Sequence, residues 1–140
     1  MSKDQEWILT FSGRRFHPLN PRIEDLCIED IAHALANICR FTGHVRTFYS
    51  VAEHSLRASA HAPDHLKLAL LLHDASEAYL CDIARPVKHA PGMEIYRQAE
   101  QQLQVLIGHK FGVVFTDPLI HDIDNRMLMT ERRDLMPPHT

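Results

Sequence analysis

Residues 68–80 read LALLLHDASEAYL, a run of leucine and alanine interrupted by His73, Asp74 and Glu77. At about 100° per residue, as the α-helical turn requires, Leu66, Ala69, Leu70, His73, Glu77 and Leu80 fall on one stripe of a helix. Leu68, Leu71, Leu72, Ala75, Ala78 and Tyr79 cover the opposite side. A helix that is apolar nearly all round is surrounded by the rest of its protein, so the spacing predicts a buried helix over 64–80. A carboxylate buried there without a partner costs several kcal/mol. A divalent cation compensates such groups economically, and hydrogen bonds to neighbouring helix ends are the alternative.

On the upstream side, Ser50 and Glu53 form a reciprocal capping pair that starts a helix with His54 in its first turn. HAPDH (61–65) separates that helix from the central one, with a proline near the first helical position. IEDLCIEDIAHALANICRF (23–41) places Leu26, Ile31, Ala34, Leu35 and Ile38 at helical spacing, ending before Gly43, and TGHVRTFY (42–49) is a loop. Residues 1–22, with the turn residues of FSGRRFHPLNPR, form an irregular arm or hairpin. On the downstream side, CDIARPVKHAPG (81–92) is a loop, and MEIYRQAEQQLQVLIGHKFG (93–112) is a long helix whose glutamine-rich face is solvated. Asp117 and Pro118 cap and open a last helix, PLIHDIDNRMLMTERRDLM (118–136). Five to six helices with little strand signal specify an all-α bundle with an irregular N-terminal arm.

With 140 residues, 45% of them hydrophobic, the chain builds a real core and is expected to be one compact unit over 1–140. Its net charge of -3, mixed along the chain, gives no pull toward nucleic acid or anionic membrane, and neither partner is expected. No apolar stretch approaches the length of a membrane span, and MSKDQEWILTF lacks the apolar core of a signal peptide, so a cytoplasmic location is expected. Cys27, Cys39 and Cys81 have no CxxC spacing. They predict small core residues rather than a disulfide framework or a cysteine zinc site. Histidine is the outlier, with 11 copies; imidazole is both a metal ligand and an acid or base near neutral pH.

The last helix repeats the anomaly of the central one. Ile120, Ile123, Met127, Leu128 and Leu135 define its core-facing arc, and Asp124 lies inside that arc. Taken singly, Asp124 is explained by pairing with Arg126 or a lysine, and His54 by ordinary partial burial. Taken together on three helices, His54, His73, Asp74 and Asp124 form a two-histidine, two-carboxylate site. Such nitrogen and oxygen donors suit Zn, Mn, Co, Fe or Ni more than a thiolate-preferring ion.

The order His54, His73-Asp74, Asp124 resembles the H…HD…D pattern of the HD-domain phosphohydrolases. The chain is most similar to the bacterial 5′-deoxynucleotidases and their phage and prophage relatives, through CRFTGH, VRTFYSVAEHS, LLHDASEAYLCDIARPVK and DIDNRMLMTERRDL. Those motifs fall within residues 39–88 and 122–135, around half the chain. The resemblance implies an all-α fold and a hydrolase of nucleotide phosphate esters with one divalent metal (Zn, Co, Mn, Fe, Ni or Mg). His54, His73, Asp74 and Asp124 would be its ligands. The metal would neutralise charge on phosphoryl oxygens and acidify a water. The resemblance further implies that Glu77 is a general base or proton shuttle and that Asp82 lies near the sugar and leaving group. Asp82 is equally explained as a helix-end turn residue. Where the family carries arginine and tryptophan for phosphate and sugar, this chain carries Arg40 and Phe41, offset by one residue. Arg46 and Lys88 are further candidates for holding phosphate, whereas Arg85 reads as a solvated charge.

The substrate expected on this resemblance is a deoxynucleoside 5′-monophosphate, releasing nucleoside and phosphate. A dNTP triphosphohydrolase, a noncatalytic nucleotide-binding module and a phosphodiesterase of cyclic or signalling nucleotides are the alternatives. The relatives' self-association makes a homo-oligomer the expected assembly.

Overall fold

The computed structural model describes residues 6–138, and the first five residues of the expected arm lie outside that range. Among the described residues the chain forms α1 (Ile28–Asn37), α2 (Val51–Ala60), α3 (Lys67–Leu72), α4 (Glu77–Leu80), α5 (Arg85–Lys88), α6 (Glu94–Phe111) and α7 (Pro118–Leu135). The only sheet among them is an antiparallel hairpin of β1 (Ile8–Leu9) and β2 (Arg15–Phe16), with Ile8 opposite Phe16. The architecture is the expected all-α bundle with an N-terminal arm. None of its helices is long and apolar enough to cross a membrane.

The Asp117 cap forms as expected, but the Ser50–Glu53 pair forms in one direction only, because the Glu53 carboxylate accepts from Arg57 at 2.9 Å instead of from the Ser50 N–H. The Ser50 hydroxyl accepts from the Glu53 N–H at 3.0 Å, and Asp117 Oδ1 accepts from the Leu119 N–H at 2.9 Å; each satisfies a donor that the first helical turn leaves open. α6 ends where expected, with Gly112 taking the left-handed conformation (φ 69°) that a helix C-terminus needs.

Three boundaries differ from expectation. The helix expected over 23–41 is only α1, because Leu26 and Cys27 are extended, which carries the Leu26 side chain into the core. Its far end is pulled out of the helix by a bridge between Cys39 and Ser50, in which Arg40 N–H donates to Tyr49 O and Val51 N–H to Ile38 O, both at 2.9 Å. The helix expected over 64–80 is a short 3-10 turn (Asp64–Leu66), then α3, a break, and α4. The loop expected over 81–92 contains the single turn of α5, opened by Pro86. Of the three cysteines only Cys27 is buried; Cys81 is exposed, contrary to the core reading.

The buried side chains form two apolar clusters. One gathers Phe16, Ile31, Leu35, Val51, Leu72, Tyr79, Leu103 and Ile107. The other gathers Ala58, Leu66, Leu70, Ile120, Ile123 and Met127. α2 crosses from the first to the second and packs on α1, α3 and α7. The arm is fastened to the first cluster by Phe16, which is fully buried and stacks on Tyr79 with ring centroids 3.9 Å apart. It is fastened to α1 by Asp30, whose carboxylate accepts from the Ser12 N–H at 2.7 Å and the Ser12 hydroxyl at 2.8 Å.

Truncating that anchor tests this packing. Phe16→Ala is expected to lower the unfolding free energy in urea by about 3–5 kcal/mol, while Leu19→Ala, at an exposed position of the same arm, stays within about 0.5 kcal/mol.

Candidate metal centre

The site lies where the two apolar clusters meet. On α2, Val51 belongs to one cluster and Ala58 to the other, and His54 sits between them on the same face, fully buried. On α7, Asp124 shares the core-facing arc with Ile120, Ile123 and Met127. Glu131 is on that arc too, because seven residues are close to two helical turns, and it is only 3% exposed.

His73 and Asp74 occupy the break between α3 and α4, and side chains cause that break. In an unbroken helix the carbonyls of Leu70 and Leu72 would accept from residues 74 and 76. Instead the His73 Nδ1–H donates to Leu70 O, and the Gln104 amide from α6 donates to Leu72 O at 2.9 Å. Gln104 Oε1 accepts the displaced Ser76 N–H at 3.3 Å. The backbone tightens to a 3-10 pattern, with His73 N–H on Leu70 O at 3.4 Å and Ala75 N–H on Leu72 O at 3.0 Å, and one glutamine bridges Leu72 O and the Ser76 N–H, which no longer bond each other. The glutamine face of α6, expected in solvent, contributes this residue inward.

The four predicted ligands converge: one donor atom each from His54, His73, Asp74 and Asp124 lie within 4.8 Å of one another. His54 Nε2 is 2.8 Å from Asp124 Oδ1, 3.3 Å from His73 Nε2 and 3.6 Å from Asp74 Oδ2. His73 Nε2 is 3.1 Å from both Asp124 Oδ1 and Asp74 Oδ2. A cation about 2.1 Å from each donor sets neighbouring donors roughly 3.0 Å apart in an octahedron and roughly 3.4 Å in a tetrahedron, so these spacings could hold one as well as hydrogen bonds.

The proton inventory supports the same reading. A backbone carbonyl only accepts, so His73 carries its proton on Nδ1 and turns the Nε2 lone pair inward. Glu131 accepts from Arg40 Nη2 at 2.9 Å and is therefore ionised, which fixes the proton of His54 on Nδ1, 2.8 Å from Glu131 Oε2. Two imidazole lone pairs and two carboxylates consequently face one point with no donor between them. Either a cation or extra protons must occupy it.

Without a cation, protons fill the role. Burial opposes charge on His54, yet its bonds to Asp124 and Glu131 outweigh that and raise its pKa. Burial likewise opposes charge on His73, and Asp74 with Asp124 raises its pKa well above the ordinary value. The same contacts, against burial, hold Asp74 and Asp124 far below the usual carboxylate range. Glu77 behaves oppositely: burial first, then the charges of Asp74 and Asp82, push its pKa far above normal. Burial also raises Asp82, with Asp74 reinforcing it and Arg40 resisting.

Around the cluster, a cavity of about 670 Å³ is lined by His73, Asp74, Glu77, Lys88 and Gln104 among others, within the usual range for small-ligand sites. A second, of about 320 Å³, reaches His73 and Asp124 from the α7 side. Lys88 faces the larger cavity but is held by Glu100 at 2.8 Å. Arg40 is near enough to act on both His54 and Asp82, and its guanidinium lies 5.0 Å over the Phe41 ring. Phe41 therefore backs the arginine. Arg46 is not brought to the cluster: its N–H donates to Leu135 O at 3.0 Å, and it lines a separate cleft with Met129, Arg132 and Arg133 at the far end of α7. Glu131 and Gln104 are the residues sequence reasoning missed. Glu131 was detectable as a second acid on the arc that exposes Asp124, whereas nothing marked Gln104 among its neighbouring glutamines.

In sequence the chain is similar to YfdR, an uncharacterized protein of Escherichia coli, with 41% identity over 131 residues that span 92% of this chain and 72% of that protein. It is also similar to an uncharacterized protein of Rhodobacter capsulatus, with 40% identity over 116 residues, 76% of this chain and 59% of that protein. No family model matches the chain. The chain belongs to the family of YfdR.

Two predictions follow from the geometry. Glu131→Gln is expected to weaken Mn²⁺ or Zn²⁺ binding by about 10–100-fold in calorimetry, with helix content by circular dichroism unchanged. The second concerns pH. His54 and His73, raised above 6.5, stabilise the metal-free fold fully below that value and lose the contribution as pH rises through their folded values. Glu77, raised above 4.5, acts in the same direction. A cation displaces those protons, so the metal-induced increase in Tm should grow between about pH 6 and about pH 8; an increase that shrinks over this range would contradict the assignment.

Proposed function

We propose that the chain is an HD-type metal-dependent phosphohydrolase acting on deoxynucleoside 5′-monophosphates. The observation that supports this best is the donor-free convergence of two Nε2 lone pairs and two carboxylates beside a buried third carboxyl, Glu77, at the wall of a substrate-sized cavity. His54, His73, Asp74 and Asp124 would hold the ion; their donors fit a borderline cation such as Mn, Co, Fe, Ni or Zn. When bound, a divalent cation supplies polarisation of a phosphoryl oxygen and acidification of water.

The protein's own groups do the rest. Arg40 spends Nη2 on Glu131, but its Nε is buried without a partner among the described residues, a donor that a phosphate oxygen would engage once the guanidinium turns toward it. Glu77 Oε1 likewise has no hydrogen-bond partner there; with a cation offsetting the charge of Asp74 that keeps it protonated, the ionised Glu77 would accept the proton of the attacking water. Asp82, biased toward its protonated form, gives its proton to the departing sugar oxygen. Because Glu77 and Asp82 act on each other's protonation, the proton taken by the first would return to the second. Water and phosphomonoester thereby become nucleoside and phosphate, with both carboxyl groups restored.

A monophosphate is favoured over a triphosphate by charge. Lys88 is the one lysine or arginine lining the larger cavity, and the Glu100 carboxylate already neutralises it. Two further phosphates would meet the already paired Lys88 and Glu100, with no other lysine or arginine lining the cavity to offset their charge.

The assay is product analysis with Mn²⁺-loaded protein. Inorganic phosphate from dAMP, with no triphosphate from dATP, is the expected result; triphosphate from dATP would move the assignment to a triphosphohydrolase. Asp74→Ala should lose bound metal and turnover together, and Glu77→Gln should keep metal while kcat falls by about 10²–10⁴-fold. Turnover retained in both variants would overturn the mechanism.

A further inference from the structure

We infer that Tyr96 is a positioning residue, holding Cys81 in a glycine-like backbone conformation that turns Asp82 back onto Glu77. This rests on the proposed function for what Asp82 does, but not for where it points. Asp82 is five residues beyond Glu77. Had α4 continued, it would lie about 140° around the helix from Glu77 and face away. The chain reverses at Cys81, with φ 72° and ψ 168°, a region that residues other than glycine scarcely populate because Cβ meets the neighbouring carbonyl.

The cysteine side chain does not account for this. Cys81 is exposed, and no hydrogen bond of its thiol is found among the described residues. Two backbone bonds hold the reversal instead. The Cys81 N–H donates to Glu77 O at 2.9 Å, and the Tyr96 hydroxyl, from the first turn of α6, donates to Cys81 O at 2.9 Å. Burial first, and then the charges of Glu100 and Glu77, raise the pKa of that hydroxyl and keep it a donor. Tyr96 therefore fastens the turn from outside, across the wall that separates α6 from the acid pair.

A rescue experiment tests this. Tyr96→Phe removes the clamp and leaves the ring, so Cys81 is expected to relax toward negative φ and release Asp82. In the Mn²⁺-loaded protein kcat should fall about tenfold, with KM and Mn²⁺ affinity within twofold of wild type, and exchange of the Cys81 amide should accelerate about tenfold. Cys81→Gly, which adopts the turn freely, should raise Tm by a few degrees. Combined with Tyr96→Phe, it should restore both kcat and slow exchange at position 81. Unchanged kcat and exchange in Tyr96→Phe, a lowered Tm in Cys81→Gly, or no rescue in the double variant would each overturn the inference. If the wild-type chain hydrolyses no nucleotide, the functional proposal fails by itself, and exchange and Tm across the four proteins still decide the clamp.

Discussion

Two imidazole lone pairs and two carboxylates pointing at one another inside an apolar bundle are satisfied only by a cation or by added protons. The fold is organised to enforce this arrangement. His54 is fixed between two hydrophobic clusters by Val51 and Ala58, and its ring is turned by Glu131. His73 is turned by a backbone carbonyl. Each imidazole is thus oriented by a partner on its outer nitrogen, which leaves the inner one free to bind a cation. Burial makes the arrangement costly when the point at the centre holds nothing positive, and the same burial strengthens the hold on a cation placed there.

The break between α3 and α4 follows from this demand. His73 and Asp74 are adjacent, and side chains of adjacent residues diverge by about 100° on a regular helix. Bringing both onto one ion requires the turn that Gln104 stabilises at Leu72 and Ser76. The long glutamine-bearing helix then serves the site as well as the core, where Leu103 and Ile107 are fully buried beside it. Part of the backbone satisfaction at the break is carried by a side chain distant in sequence, beside the 3-10 bonds of His73 and Ala75.

This also explains what was legible in the sequence and what was not. His54, His73, Asp74 and Asp124 could be read because each is polar on a stripe that is otherwise apolar, and helical periodicity shows such intrusions directly. The break could not be read: LALLLHDASEAYL contains neither glycine nor proline, and its cause is Gln104, about thirty residues on. The early end of α1 has a similar origin, in a bridge between Cys39 and Ser50 that no local signal announces. Arg46 was misplaced for a different reason. Nearness in sequence to His54 suggested nearness in space, whereas the loop leads to the last turn of α7. Glu131 was visible in principle but hidden within a run of charged residues, TERRD, that resembles a solvated helix end.

The position of Glu131 links two functions that the sequence presents as separate. One of its oxygens holds Arg40 and the other holds His54. A phosphate drawn to the free Nε of Arg40 would therefore act on a guanidinium already tied, through one carboxylate, to a metal ligand. Charge withdrawn from Glu131 by Arg40 makes it a weaker acceptor for the His54 N–H, and the inner nitrogen of His54 a weaker donor to the ion. Binding of the anion and hold on the cation are then coupled through a single acid, with the sign that loosening Arg40 from Glu131 tightens His54 on the metal. On the proposed function the arginine would tune the metal site as well as bind phosphate, and a substitution at Arg40 would not be read as a change in phosphate affinity alone.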